Sequence, residues 1–309
     1  MAADGSPLGD RAAGLRKARV PYVHARVVLA ERPTSAKPGD EALVLSDGTI
    51  EGFVGGTCAE STVLAQGLAL IDSGESLLLR ITPEPEAPQQ GKLVVHNACL
   101  SGGTLEIFLE PVLPAPRLVV FGDAPVARSI RALALHLGWD VPGVSGDIGS
   151  ADPAIGADVA AVVVASHGRD EEVALTAALR LGVPYVGLVA SRKRGEAVLA
   201  SLDVDASDLG RVHTPAGLDI GARSSDEVAL SIMAEIVSIR PRPSGRPLAD
   251  GAASSGTATD PVCGMSVATV DSTLHLDHDQ GRVWFCGSGC LRAFAADPAA
   301  YPVTDAPRA

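Results

Sequence analysis

The sequence predicts an α/β protein in three parts. These are an N-terminal mixed α/β domain, a Rossmann-like doubly wound domain on a parallel sheet, and a small C-terminal metal-binding module. Three observations carry the prediction. Strand-like alternation around one cysteine-bearing helix fills the first third of the chain. From residue 117, β-branched apolar runs alternate with helical segments, the mark of βαβ units and a parallel sheet. After a Pro-, Gly- and Ser-rich stretch, three cysteines recur as C-x22-C-x3-C. The expected divisions are a loose N-terminus at 1–18, domains at 19–113 and 116–240, a flexible linker at 241–258 and the module at 259–309.

The 309 residues leave room for two or three domains with a sizeable core. Aromatic residues are only 3%, so Val, Leu, Ala and Ile must build that core. A net charge of −12 argues against nucleic acid or an anionic membrane surface as partner. No apolar run reaches the ~18 residues of a membrane span, and the first residues lack the apolar core of a signal peptide. Five cysteines, an odd number, read as thiols in a reducing compartment rather than a disulfide framework, which points to the cytoplasm.

Residues 24–29 and 41–45 alternate as strands, and an Asp47-Gly48 turn of the hairpin kind comes after the second. The run EGFVGGTCAE, residues 51–60, then reads as a strand end, a Gly55-Gly56 turn and a helix start. Thr57 and Glu60 have capping-box spacing, which puts Cys58 on the first helical residue. A thiol beside open backbone N–H groups at the positive end of a helix should titrate low. Gly55 and Gly56 would let the backbone approach an anion. The alternative is that Cys58 is a small packing residue. Val63, Leu64, Gly67, Leu68 and Ile71 continue the helix, and Gly74 stops it.

A strand at 77–81 and a Pro-rich loop lead to residues 92–110, which repeat this logic. A β-branched run enters His96-Asn97-Ala98-Cys99, then Ser101-Gly102-Gly103, then a strand at 104–109. Two cysteines thus sit beside Gly-Gly turns at strand edges. Pro111, Pro114 and Pro116 mark the boundary.

In the second domain, strands are expected at 118–121, 141–144, 160–165 and 184–190, with helices between them. Ser224 and Glu227 form a second capping box opening a final helix. The dinucleotide fingerprint G-x-G-x-x-G should come directly after the first strand. Here it reads Gly122-x-Ala124-x-x-Ala127, and Ser145 and Gly146 stand where a ribose-binding acid belongs. The nucleotide site is degraded, although an NAD(P)-dependent oxidoreductase stays open as an alternative. His167 closes the third strand at the carboxyl edge, where such sheets bind ligands. Arg192, Lys193 and Arg194 are either a phosphate site or a solvated helix start.

In the module, Cys263, Cys286 and Cys290 offer three thiolates, a set that selects zinc or copper(I). About fifty residues build little core, so a metal would add stability. The fourth ligand is not obvious. His275 and His278 are candidates but lie in a polar turn. A metal-sensing protein is a further alternative.

Residues 52–60, 99–106 and 217–222 (GFVGGTCAE, CLSGGTLE and GLDIGA), with the helix at 226–239, resemble the XdhC/CoxI family of molybdenum hydroxylase maturation factors. The Asp-Pro-Val-Cys-Gly-Met opening and Phe-Cys-x-x-x-Cys close of the module resemble the YHS domain. The resemblance implies an accessory chaperone rather than an enzyme. It would bind the molybdenum cofactor (molybdopterin), protect it during sulfuration, and help insert it into a xanthine dehydrogenase or aerobic carbon monoxide dehydrogenase. Implied partners are the hydroxylase apoenzyme, a cysteine desulfurase-type sulfur donor and a second copy of the chain. The resemblance maps its two motif cysteines onto Cys58 and Cys99 and its acid onto Glu60, and with Gly55, Gly56, Gly102, Gly103 and His167 from the residue reading these are the expected cofactor residues.

Overall fold

The computed structural model describes residues 7–97, 103–143, 155–156, 158–240, 257–278 and 281–303. The chain forms two compact units: Met1–Pro114 together with Arg242–Ala309, and Ala115–Pro241.

The first unit opens on helix α1 (Pro7–Lys17), where the sequence predicts a loose N-terminus. Ala12 and Leu15 are buried against Tyr22, Leu43 and Leu45, enough apolar contact to dock a short polar helix. Strands β1 (Tyr22–Glu31), β2 (Glu41–Leu45), β3 (Ile50–Gly52), β4 (Leu77–Thr82), β5 (Leu93–His96) and β6 (Thr104–Val112) form one sheet. Its order is β3-β2-β1-β6-β4-β5, antiparallel except for the β4–β5 pair. The Asp47-Gly48 turn joins β2 to β3 as the sequence predicts, with the Asp47 carboxylate accepting from the Thr49 N–H at 2.9 Å.

Helix α2 (Thr57–Ser73) lays Ala59, Val63, Leu64 and Leu70 on the sheet, against Val44, Leu79, Ile107 and Leu109. Gly67 allows this close packing, since a Cβ there would lie 3.0 Å from Val44 Cγ1. The helix ends at Gly74, whose N–H bonds the Leu70 carbonyl.

A charged knot ties the middle of the sheet. Glu106 on β6 is buried and accepts from Lys92 at 2.5 Å and Arg80 on β4 at 2.9 Å. The hydrogen bond from Lys92, then that from Arg80, holds the Glu106 carboxyl below its ordinary 4.5. A depressed carboxylate contributes stability that is present above the unfolded value and lost as pH falls through the folded one. Glu106→Gln should therefore cost about 2 kcal/mol at neutral pH, because Arg80 and Lys92 lose their shared anion. Denaturant titrations should show the gap between variant and wild type closing as pH drops below 4.5.

Residues 257–303 belong to this first unit rather than standing apart as a module. They form the hairpin β11 (Thr257–Thr259) with β12 (Ser266–Ala268), the hairpin β13 (Leu274–His278) with β14 (Gly281–Phe285), and helix α8 (Ser288–Ala296). Ala268 enters the α2-sheet core, and Ser272 Oγ donates to the Gly48 carbonyl at 2.9 Å. Val283, Phe285 and Phe294 make a small core of their own. The tail gains stability by borrowing apolar surface from α2, which its own composition did not reveal.

The second unit is the predicted Rossmann-like domain. Strands β7 (Arg117–Phe121), β8 (Val159–Val164), β9 (Tyr185–Leu188) and β10 (Val212–His213) form a parallel sheet in the order β10-β9-β8-β7. Of the strand expected at 141–144, residues 141–143 are not in a strand and residue 144 lies outside the described residues, while the neighbouring Asp140 makes a single bridge to Arg117. Helices α3 (Pro125–His136) and α7 (Ser225–Ile239) cover one face. Helices α4 (Glu171–Arg180) and α5 (Arg192–Ser201) cover the other, and the short α6 (Ala206–Leu209) leads into β10. Both faces of β7 are thus buried, which is why it reads as a continuous apolar run. The Ser224–Glu227 capping box is formed, with both reciprocal hydrogen bonds present.

Candidate functional site

Helix α2 begins where an extended chain leaves β3. Gly55 has φ 136°, and a Cβ there would lie 3.0 Å from Ala59 Cβ and 3.2 Å from Leu105 Cδ1. Gly56 is the N-cap residue and Thr57 the first helical one, so the expected capping box is absent and Cys58 is the second helical residue. The extended conformation of Gly56 starts the helix one residue early, which carries the Thr57 hydroxyl past the capping position. Gly56 has no side chain with which to cap the first N–H groups, so this helix end is left to other partners.

A cavity of about 300 Å³ opens at this point. The helix start (Gly56, Thr57, Cys58, Ala59) forms one wall, residues 33–35 another, and Asn97 and Gly103 the third. Asn97 is buried and its Nδ2 donates to the Cys58 carbonyl at 3.1 Å, while Thr62 Oγ1 donates to the same carbonyl at 3.2 Å. Cys58 is thereby fixed at the mouth.

Gly55 packs beneath the turn and does not line the cavity. Glu60 is not a lining residue either, and burial raises its carboxyl above the ordinary value. Cys99 and Gly102 lie outside the described residues, but Asn97 and Gly103, on either side of them, both reach the cavity. Asn97 was not foreseen as a lining residue. Its place just before the second cysteine loop was the available signal.

The tail places a second group of thiols beside α2. Ligand atoms of Asp260, Cys263, Cys286 and Cys290 all lie within 4.8 Å of one another. The sulfurs of Cys263 and Cys286 are 3.5 Å apart, and those of Cys286 and Cys290 3.6 Å. The hydrogen bond shared with Cys286 pulls the Cys263 thiol below its ordinary value, and the same bond, with burial, pushes Cys286 up. Burial raises Cys290 to about 12. One thiol of the set therefore ionises ahead of the others, which is how a metal ion would find its first ligand.

Asp260 was not foreseen in this group, and the two histidines are elsewhere. His275 Nδ1 pairs with the Thr273 carbonyl at 2.8 Å, and His278 packs edge-on to Phe294.

In the second unit, His167 lines a cavity of about 710 Å³ with Ser191, Arg192, Arg194 and residues 215–220. It lies at the carboxyl edge of the sheet, as predicted. His167 and Asp170 both have positive φ, 55° and 49°, in a loop gathered by the buried Glu171. Glu171 Oε1 accepts from the Gly168 N–H at 2.9 Å and from Arg194. Behind the lining residue Gly217, Glu235 accepts from the Gly217 N–H at 2.8 Å and from Tyr185 Oη at 2.7 Å, and pairs with His213 Nδ1 at 3.1 Å. This network holds the GLDIGA loop and was not apparent from spacing.

In the degraded fingerprint, Ala124 is the N-cap of α3 and Pro125 comes next, removing one of the N–H groups a pyrophosphate would use. No helix among the described residues is long and apolar enough to cross a membrane.

Two family profiles match the chain: the XdhC Rossmann domain over residues 118–236 and the XdhC and CoxI family over residues 15–82. The protein YqeB of Escherichia coli (strain K12) is 28% identical over an alignment of 253 residues that covers 74% of this chain and 45% of YqeB. A probable xanthine dehydrogenase subunit of Bacillus subtilis (strain 168) is 28% identical over 160 residues, 45% of this chain and 47% of that protein. The molybdenum cofactor insertion chaperone PaoD of Escherichia coli (strain K12) is 25% identical over 263 residues, 69% of this chain and 82% of PaoD. The chain thus spans about half the length of the first two relatives and most of the third.

Proposed function

We propose, for a chain with XdhC/CoxI family segments at residues 15–82 and 118–236, that it serves in the maturation of a molybdenum hydroxylase. In this reading it binds the molybdenum cofactor, shields it during sulfuration and helps insert it into an apoenzyme. The observation that carries the reading is Cys58, held at the start of α2 on the wall of a cavity of about 300 Å³.

The residues suit the group. A molybdopterin presents a soft sulfur-ligated metal centre and a phosphate. A thiol in the first turn of a helix is a ligand of matching softness. The adjoining helix end, which Gly56 does not cap, matches an anion. A Cβ built on Gly56 would meet nothing within 4 Å, so this wall stays open for a ligand. Cys58 would contact the metal side, Gly56 and Thr57 the anionic side, and Asn97 would keep the Cys58 backbone in place. When bound, the cofactor supplies the redox chemistry of the client enzyme, and this chain holds and hands it over. Cys99, beside the Gly103 wall in sequence, is the proposed second thiol, and a desulfurase-type donor and a second copy of the chain are the proposed partners. The tail thiols are proposed to take zinc or copper(I).

Purification from a cell that makes the cofactor tests the reading. Wild type should carry molybdenum and pterin near one per chain, and Cys58→Ala should lose at least about tenfold in occupancy, as when a metal-facing ligand is removed. Equal cofactor in both, or none in wild type, would remove Cys58 from the site.

A further inference from the structure

We propose that Cys58 is also the fourth sulfur ligand of the tail's metal site, so that one thiol serves the cavity and the tail in turn. The inference rests on the reading that the tail binds a soft metal, and goes beyond it by assigning a ligand from another part of the chain.

Asp260 serves the turn that carries the thiols. Its side chain is fully buried, and both oxygens are in use. Oδ1 accepts from the Val262 N–H at 2.9 Å and Oδ2 from the Cys286 N–H at 2.8 Å. The Asp260 backbone also closes the β11–β12 turn, bonding Met265 O and Gly264 N–H at 2.8 Å each. Asp260 therefore builds the turn that presents Cys263 and Cys286. A carboxylate oxygen is in any case the harder and less suitable donor for an ion already held by three thiolates. The site as sequence reads it is one donor short of the four sulfur or nitrogen ligands that structural zinc takes.

The missing sulfur stands across the interface with α2. Cys58 packs against the cluster of Met265, Val267, Trp284 and Cys286, the same cluster on which Cys263 and Cys290 lie. The turn between Cys286 and Cys290 is seated on the start of α2. Ser61 Oγ donates to the Cys286 carbonyl at 2.9 Å, and a Cβ on Gly287 would lie 3.7 Å from Thr57 Cγ2. Cys58 thus lines the cavity and also packs on the tail cluster that contains Cys286. In this proposal the Cys58 side chain turns toward the tail while its backbone stays pinned by Asn97 and Thr62. Binding there is ligand exchange without redox: a metal–sulfur bond forms and the thiol proton leaves to solvent. Occupancy of the tail then withdraws Cys58 from the cavity, and a ligand in the cavity weakens the tail site by the same factor.

The test uses the full chain, reduced, loaded with zinc alone, and read by X-ray absorption at the zinc edge. Wild type should show four sulfurs at about 2.3 Å. Cys58→Ser should show three sulfurs and one lighter atom, and Cys99→Ser should keep four. Zinc should also slow alkylation of Cys58 by at least about tenfold, counted by mass spectrometry, without slowing that of Cys99. Three sulfurs in wild type, unchanged by Cys58→Ser, would overturn the assignment while leaving a metal-binding tail. Four sulfurs lost in Cys99→Ser but kept in Cys58→Ser would overturn it too. Failure to retain zinc at all would overturn both the assignment and the tail's metal role.

Discussion

Gly103→Ala should destabilise the first unit by about 4 kcal/mol, the range reached only when a substitution forces backbone apart. A Cβ on Gly103 would stand 2.2 Å from the Pro33 carbonyl oxygen, 2.7 Å from Glu31 O and 2.8 Å from Pro33 C. All three are backbone atoms of the strand end and loop that form one cavity wall, so no side chain can swing away. Relief requires the loop at 33–35 to lift from β6, which opens the cavity and exposes Leu105 beneath it. For a unit of this size the loss corresponds to roughly 10 °C in Tm. Gly56→Ala is the contrasting case. It points into open space, so stability should change by less than about 1 kcal/mol, the scale of an N-cap exchange. The cavity wall, however, gains a methyl group at the helix start, and cofactor occupancy should fall. Calorimetry separates the two glycines. A small Tm change for Gly103→Ala would mean that the wall yields easily and that the cavity is not preformed.

The same contrast explains what could be read in the sequence. The Gly-Gly-Thr-Cys helix, the Asp-Gly hairpin, the alternating βαβ segments and the Ser224 cap are local patterns, and each leaves a signature within a few residues. The capping-box spacing of Thr57 and Glu60 predicts an N-cap one residue later than Gly56, where α2 is capped. Conformation, not spacing, decided the outcome: Gly56 adopts the extended N-cap geometry first. The helix at Pro7–Lys17 leaves no local signature, because only Ala12 and Leu15 anchor it and their partners, Leu43 and Leu45, come from a later strand. The fate of the tail was likewise hidden. Its docking depends on Ser61 and Gly48 meeting Cys286 and Ser272, pairs more than 220 residues apart. Asp260 was legible in hindsight, because an Asp two residues before a turn residue commonly bonds that residue's N–H.

Arg194→Met should cost the second unit about 3 kcal/mol, the penalty for leaving a buried carboxylate without its cation. Glu171 is 1% exposed, and its Oε1 gathers Arg194, the Gly168 N–H and Ser166 Oγ into one knot. Its Oε2 is buried with no hydrogen-bond partner among the described residues. The knot lies directly behind His167, so the positive-φ loop depends on it. Glu171→Leu alone removes the buried charge but strands the Gly168 N–H and leaves Arg194 facing an apolar side chain. The double variant should recover part of the loss, because an apolar pair often replaces a buried ion pair at little cost. The coupling between the two sites should then be about 2 kcal/mol. The arginine also lines the cavity, so the double variant distinguishes its two duties: stability returns, while any anion held there through Arg194 stays weakly bound. A single Arg194→Met cost of about 0.5 kcal/mol, the level of an ordinary surface change, would place Arg194 in solvent and leave the loop to hold itself. A full cost with no recovery in the double variant would mean that the Gly168 hydrogen bond, not the charge pair, secures the loop at the sheet edge.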